Sequence, residues 1–295
     1  MPVLLMTVWL TGCVQEELGS TPSPTGNGIR FTLTVPDVNL PSVSSRTMTG
    51  TGTAKKEDEI ETVDILVFDM SKTPAVYLEC VSATGVTQDL ADNSTVSFSA
   101  VLSPTTASTC IVVVANKELD NIVPGFIKGT TTKVEAMEEM LHTQTGKWLA
   151  DGSTTDGYTR IPMYGEKVIS KITPSMDPIT GINMKRMLAR IDIRNNSATS
   201  NFTVEEVYLA NYNTTGYIAP AWNTNGQVTD PAPDTPVLPV NSGKMTEEGD
   251  AILYSVNGNT PYEGEIYTFE SIAAEDVGGV GQDGEASRKN ATCLI

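Results

Sequence analysis

The stretch ETVDILVFDM, residues 61–70, constrains the chain most, because it carries apolar side chains on both faces of an extended strand. Val63, Ile65 and Val67 fall on one face and Leu66 and Phe68 on the other, so the segment reads as a central strand. Further runs share the two-residue period. IRFTLTVPDV, beginning at Ile29, sets Phe31, Leu33 and Val35 against threonines. AVYLECVS, STVSFSAVL and TCIVVVANK follow, bounded by Gly, Pro, Asn or Asp. One segment has helical period: TTKVEAMEEMLH, with Thr132 as N-cap, Glu135 three residues later, and Val134, Met137 and Leu141 on one face. Beyond it come TRIPMYGEKVISKI, INMKRMLARIDIRNN, FTVEEVYLANYN, AILYSVN, EIYTFESI and ATCLI, with a proline-rich loop over residues 223–250. Charged residues make up only 19%, while Thr, Ser, Asn and Gly abound, as strands and turns require. The expectation is an all-β chain with one short helix, built as antiparallel β-sandwiches.

The chain opens MPVLLMTVWLTGC. Its apolar run is far short of the roughly 20 residues that cross a bilayer, and has the length of a signal-peptide core. Leucine, two small residues and then Cys13 resemble the lipobox of bacterial lipoproteins, in which the thiol receives diacylglycerol and the peptide is cut before it. The competing readings are an ordinary secretion signal with an incidental cysteine, or a disordered terminus; no Lys or Arg precedes the run, as a signal's first region would supply. Three cysteines remain, Cys80, Cys110 and Cys293, which cannot be a complete disulfide framework. They read as small buried hydrophobes, with a Cys80–Cys110 bridge left open. A net charge of −17 disfavours nucleic acid and anionic lipid as partners.

Chemical motifs fail when tested. GVGQDG, residues 279–284, satisfies GxGxxG, yet no helical pattern follows and Asp276, Asp283 and Glu285 would repel a pyrophosphate. DGSTTDG, residues 151–157, has Asp156 where a calcium loop needs glycine and Pro162 where it needs the bidentate glutamate; a looser bound calcium is the residual alternative. The single histidine, His142, is placed on the helix tail, where it would complement the dipole, and no GxSxG occurs. Carboxylates are plentiful, but nothing singles out a catalytic pair. MKRMLARIDIR fits two periods. The strand reading turns Met187, Ala189, Ile191 and Ile193 inward and Arg186, Arg190 and Arg194 outward, to pair with neighbouring carboxylates. No enzyme activity, cofactor or metal is expected.

Taken together, these stretches resemble one family, the fimbrillins or type V pilins of Bacteroidota. The resemblance rests on the lipobox at Cys13, the isolated arginine of VSSRTMTG, EIETVDILVFD, CIVVVANKE, IPMYGE and MKRMLARIDIRN, with YLANYNTTGYIAP and IYTFES echoing a second domain. It implies two tandem transthyretin-like β-sandwiches: a signal peptide over residues 1–12, a lipidated pro-segment with a removable first strand over 13–46, an N-terminal sandwich over 47–198 and a C-terminal one over 199–295. It also implies export to the outer membrane as a lipoprotein acylated on Cys13, and then cutting between Arg46 and Thr47 by an arginine-specific protease. Assembly with other fimbrial subunits into a surface fimbrium would follow, by donor-strand exchange, in support of adhesion. Cutting there would release FTLTV with the anchor, whereas cutting at Arg30 would open nothing. The family pattern continues past the final TCLI with further strands and the donor segment. The alternative is a surface-anchored glycan-binding lipoprotein with Trp148 and Trp222 as sugar platforms; a carboxylate-based hydrolase is the weakest reading.

Overall fold

The segment with apolar residues on both faces forms a strand at Val63–Asp69 and is buried from both sides. The computed structural model describes residues 28–35, 58–89, 95–148, 160–191, 206–229, 237–240, 251–255, 266–271 and 293–294. The elements in chain order are β1 (Ile29–Thr34), β2 (Val63–Asp69), β3 (Val76–Ser82), β4 (Thr84–Gln88), β5 (Thr95–Ala100), β6 (Thr109–Ala115), a 3₁₀ turn (Val123–Gly125) and α1 (Lys133–Glu139). They continue with β7 (Leu141–Thr143), β8 (Met163–Ile169), β9 (Ile179–Asn183), β10 (Lys185–Arg186), β11 (Ala189–Ile191), β12 (Glu206–Ala210), β13 (Thr215–Tyr217), β14 (Ile252–Ser255), β15 (Ile266–Thr268) and β16 (Cys293–Leu294). The chain is all-β with one short helix, as its sequence predicts.

Two sheets, ordered β4-β5-β1-β9 and β10-β8-β6-β2-β3, face each other. Between them lie Phe31, Leu33, Val96, Phe98 and Ile182 from the smaller sheet and Val63, Ile65, Val67, Ile111, Val113 and Met163 from the larger. The larger sheet is covered again on its other face. There Leu66, Phe68, Cys110, Val112, Val114 and Tyr164 pack against Ala136, Met137 and Met140 of the helix region and against Ile218, Ala219, Tyr267 and Phe269 from later in the chain. The five-stranded sheet is therefore a middle layer, which is why β2 and β6 are apolar on both faces. A third cluster, Val207, Leu209, Tyr212, Ile252 and Ile266, gathers by the sheet β14-β12-β16.

Four local expectations change. The capping box forms, with Thr132 Oγ1 accepting from Glu135 N at 3.2 Å and Glu135 Oε2 accepting from Thr132 N at 2.8 Å. The helix buries Met137 of the expected face together with Lys133 and Ala136, leaves Val134 half-buried, and stops at Glu139. Leu141 and His142 belong instead to β7, which pairs with β13. MKRMLARIDIR is split: Arg186 ends β10 in the five-stranded sheet, while Ala189–Ile191 pairs with β15 and leaves Ala189 exposed rather than inward. Among the described strand pairs, β1–β9 alone is parallel.

Candidate functional site

β1 alternates because its sequence does: Ile29, Phe31, Leu33 and Val35 are 4%, 1%, 0% and 1% exposed, while Arg30 and Thr34 face out. It pairs antiparallel with β5 through six residues, from Ile29↔Ala100 to Thr34↔Thr95, and parallel with β9 through Phe31↔Ile179, Leu33↔Ile182 and Thr34↔Asn183. Met184 N extends that side by donating to Thr34 O at 2.8 Å. Phe31 stacks on Phe98 with ring centroids 5.0 Å apart and planes 7° from parallel. β1 is thus interior, with a neighbour on each side. At roughly 1.5–3 kcal/mol per buried apolar side chain, its four inward residues contribute about 6–12 kcal/mol, as much as the net stability of a whole domain.

What flanks β1 decides what its loss would leave. β3 and β4 form nearly one strand from Val76 to Gln88 that passes from the larger sheet to the smaller at Ala83, helped by the left-handed backbone of Gly85 (φ 65°). β9 and β10 do the same from Ile179 to Arg186, across the buried Met184. Each side of the sandwich is closed by a strand shared between sheets. Without β1, a slot one strand wide would lie between β5 and β9, floored by apolar side chains and rimmed by unpaired backbone groups.

Other chemistry lies on the outer face of the middle sheet. Lys133 Nζ meets Glu166 Oε2 at 2.6 Å, and Tyr164 OH donates to the same oxygen at 2.6 Å. Lys133 is 2% exposed, and burial beside Glu166 pushes the Tyr164 hydroxyl well above the ordinary tyrosine range. Sequence reading missed this cluster, since its members lie on α1 and β8 and a lysine at a helix start looks solvated. His142 is half-buried against Trp148 (4.9 Å) and Phe269 (6.4 Å), with neither ring nitrogen hydrogen-bonded. Burial lowers its pKa to about 4, so it is neutral and does not serve a helix dipole.

Trp148 is 3% exposed within this core, and the Trp222 ring packs edge-on against Tyr217 at 4.9 Å. Trp148 thus offers no open platform to a sugar, and Trp222 is half-buried. Cys80 and Cys110 are both unbridged; β2 separates their strands by roughly 10 Å, beyond disulfide reach. Burial pushes their thiols up to about 12 and about 11. Among the described residues, no group of three His, Cys, Asp or Glu side chains is placed to hold a metal ion. Arg186 pairs with Asp58, as expected for that arginine. Cys13, Arg46, Thr47, Arg194 and the loops DGSTTDG and GVGQDG lie outside the described residues.

A family model described as fimbrillin-A associated anchor proteins Mfa1 and Mfa2 matches residues 23–277. No curated protein matches the chain. Among solved structures, the chain is similar to a fimbrial assembly protein from Parabacteroides distasonis, at 11% identity and TM-score 0.38 over 84% of this chain and 79% of the other. A candidate cell adhesion protein from the same organism is similar at 17% identity and TM-score 0.45, over 85% and 73%. Candidate polysaccharide-binding proteins from Bacteroides thetaiotaomicron are similar at 12% identity and TM-score 0.32, over 68% and 62%.

Proposed function

The chain belongs to the family of fimbrillin-A associated anchor proteins, and from that premise we propose that it is a structural subunit of a cell-surface fimbria that assembles by strand exchange. In this reading Cys13 takes the lipid that tethers the precursor to the outer membrane. An arginine-specific protease then cuts between Arg46 and Thr47. The cut frees β1 with its anchor, and an extended strand of a neighbouring subunit fills the place left between β5 and β9. The subunit is non-enzymatic.

The observation that carries this reading is the seat of β1. It precedes Arg46 in sequence, and all four of its inward side chains are buried between two strands that belong to later parts of the chain. A strand so placed keeps a precursor closed, and its departure leaves a vacancy that another alternating strand fits, because ladder hydrogen bonds and alternate apolar pockets are what strand addition uses. The glycan-binding alternative loses support, because Trp148 is enclosed and Trp222 is packed on Tyr217.

Limited trypsin digestion of the full chain with N-terminal sequencing tests the cut. The expected first product begins at Thr47, and Arg46→Ala abolishes it and leaves the protein monomeric. First cleavage elsewhere, or a cut product that unfolds without gaining affinity for a strand peptide, overturns the mechanism.

A further inference from the structure

Beyond β1, the chain returns to the sandwich at Asp58, and it does so across the end of the β1 seat. β4 runs in the same direction as β1, so its last residue, Gln88, stands level with Val96 and Leu33, and Ile182 of β9 stands level with Leu33 on the far side. Two bonds join residues 58–60 to β4, which backs β5 on its side away from β1: Gln88 Nε2 donates to Asp58 O at 2.7 Å, and Ile60 N donates to Gln88 Oε1 at 3.1 Å. The Asp58 carboxylate meets the second flank through an ion pair with Arg186, in the strand that continues β9. The pair is largely shielded, at 20% and 15% side-chain exposure. Ile60 is buried in the core below. The next residues are pinned as firmly. Asn116, held in the left-handed region (φ 59°), donates through Nδ2 to Glu59 O at 2.7 Å and accepts from Glu61 N at 3.0 Å. Arg160 Nη1 meets Glu61 at 2.7 Å.

We propose that Asp58–Ile60 is a brace that holds the two flanks of the β1 seat apart and closes one end of it. The reason for a brace is physical. β5 is antiparallel to β1 and β9 is parallel to it, so β5 and β9 are antiparallel to each other and could pair directly once β1 leaves. That collapse would bring them from roughly 10 Å apart to about 5 Å and abolish the slot. Asp58, bonded to Gln88 on one side and Arg186 on the other, resists it. The brace also stands where a strand running as β1 does would end, so an incoming strand enters from the Ile29 end and takes its register where it meets residues 58–60. The consequence for assembly rests on the strand-exchange reading above; the brace itself does not.

The test uses the full chain with one protease site inserted between residues 36 and 57, cut so that β1 remains as a bound fragment, and challenged with a labelled peptide of residues 28–35. The cut protein is expected to capture the peptide stoichiometrically. Asp58→Asn and Arg186→Gln are expected to lower capture at least tenfold. Gln88→Ala, which keeps the ion pair, is the milder variant should either fail to fold. In the uncut chain, hydrogen exchange of the Met184 amide should quicken at least tenfold in the variants, with β2 and β6 amides unchanged. Measurable capture that is equal in variants and wild type, or equal Met184 protection, overturns the brace. Faster Met184 exchange in the variants, with no capture even by wild type, sustains the brace and overturns strand exchange instead.

Discussion

The two faces of the five-stranded sheet are both buried, and they are covered in different ways. The face toward β1 is closed by hydrocarbon: Ile29, Phe31, Leu33, Val35, Val96, Phe98 and Ile182 meet Val63, Ile65, Val67, Ile111 and Val113. The buried polar side chain of β6 on that face, Thr109, bonds locally to Ala107 O and Thr105. The opposite face carries directional chemistry: the Lys133–Glu166 ion pair, the Tyr164 hydroxyl and the His142 ring among aromatics. Hydrophobic burial is non-directional, so a cover held by it alone tolerates replacement by another strand of similar pattern. A cover held by a buried ion pair does not, because removing one partner leaves an uncompensated charge. In the strand-exchange reading proposed above, the side that exchanges is the apolar one and the side that stays is wired.

Three measurements would break or sharpen that contrast. The largest effect is expected at Phe31→Ala, which deletes a fully buried ring and its stack on Phe98. It should cost about 3–5 kcal/mol in denaturant unfolding, and a loss under about 1 kcal/mol would mean β1 is not a structural cover. On the other face, Lys133→Met should cost about 2–3 kcal/mol, less than for a fully enclosed pair because Glu166 keeps partial exposure. Adding Glu166→Gln should recover part of it, and a strictly additive double mutant would show the pair to be uncoupled.

The smallest effect concerns acid. The folded-state pKa of His142 lies below its unfolded value, so the unfolded chain takes up the proton first. The resulting contribution is fully present above about pH 6.5 and is lost as pH falls toward about 4. The difference in melting temperature between wild type and His142→Phe should therefore shift in favour of the variant across that window. A difference independent of pH would show the ring to be solvated.

Much of this arrangement was legible. The two-faced pattern of residues 63–68 announced a central strand, the Thr132–Glu135 spacing announced a helix start, and the alternation of β1 announced which side chains point inward. What alternation cannot give is a strand's neighbours. Nothing in IRFTLTV says that it lies between β5 and β9 or that one pairing is parallel, since both partners come from distant sequence. His142 was assigned to the helix because LH continues the helical period. Pairing with β13, more than seventy residues later, takes it into a strand instead. MKRMLARIDIR satisfied both periods because it serves two sheets, one on each side of Met187 and Leu188. The signals for Lys133 with Glu166, and for Asp58 with Arg186, are absent for the same reason: charges that meet across a fold carry no local spacing.

The parallel partner of β1 also bears on the order of folding. A chain is synthesised from its N-terminus, and pairings between distant segments form slowly because the loop between them must close first. Phe31 can meet Phe98 once β5 exists, but its other neighbour, Ile179, comes far later. β1, the earliest of the described strands, is therefore among the last of them to be fully seated, and until then one of its edges remains open to other chains.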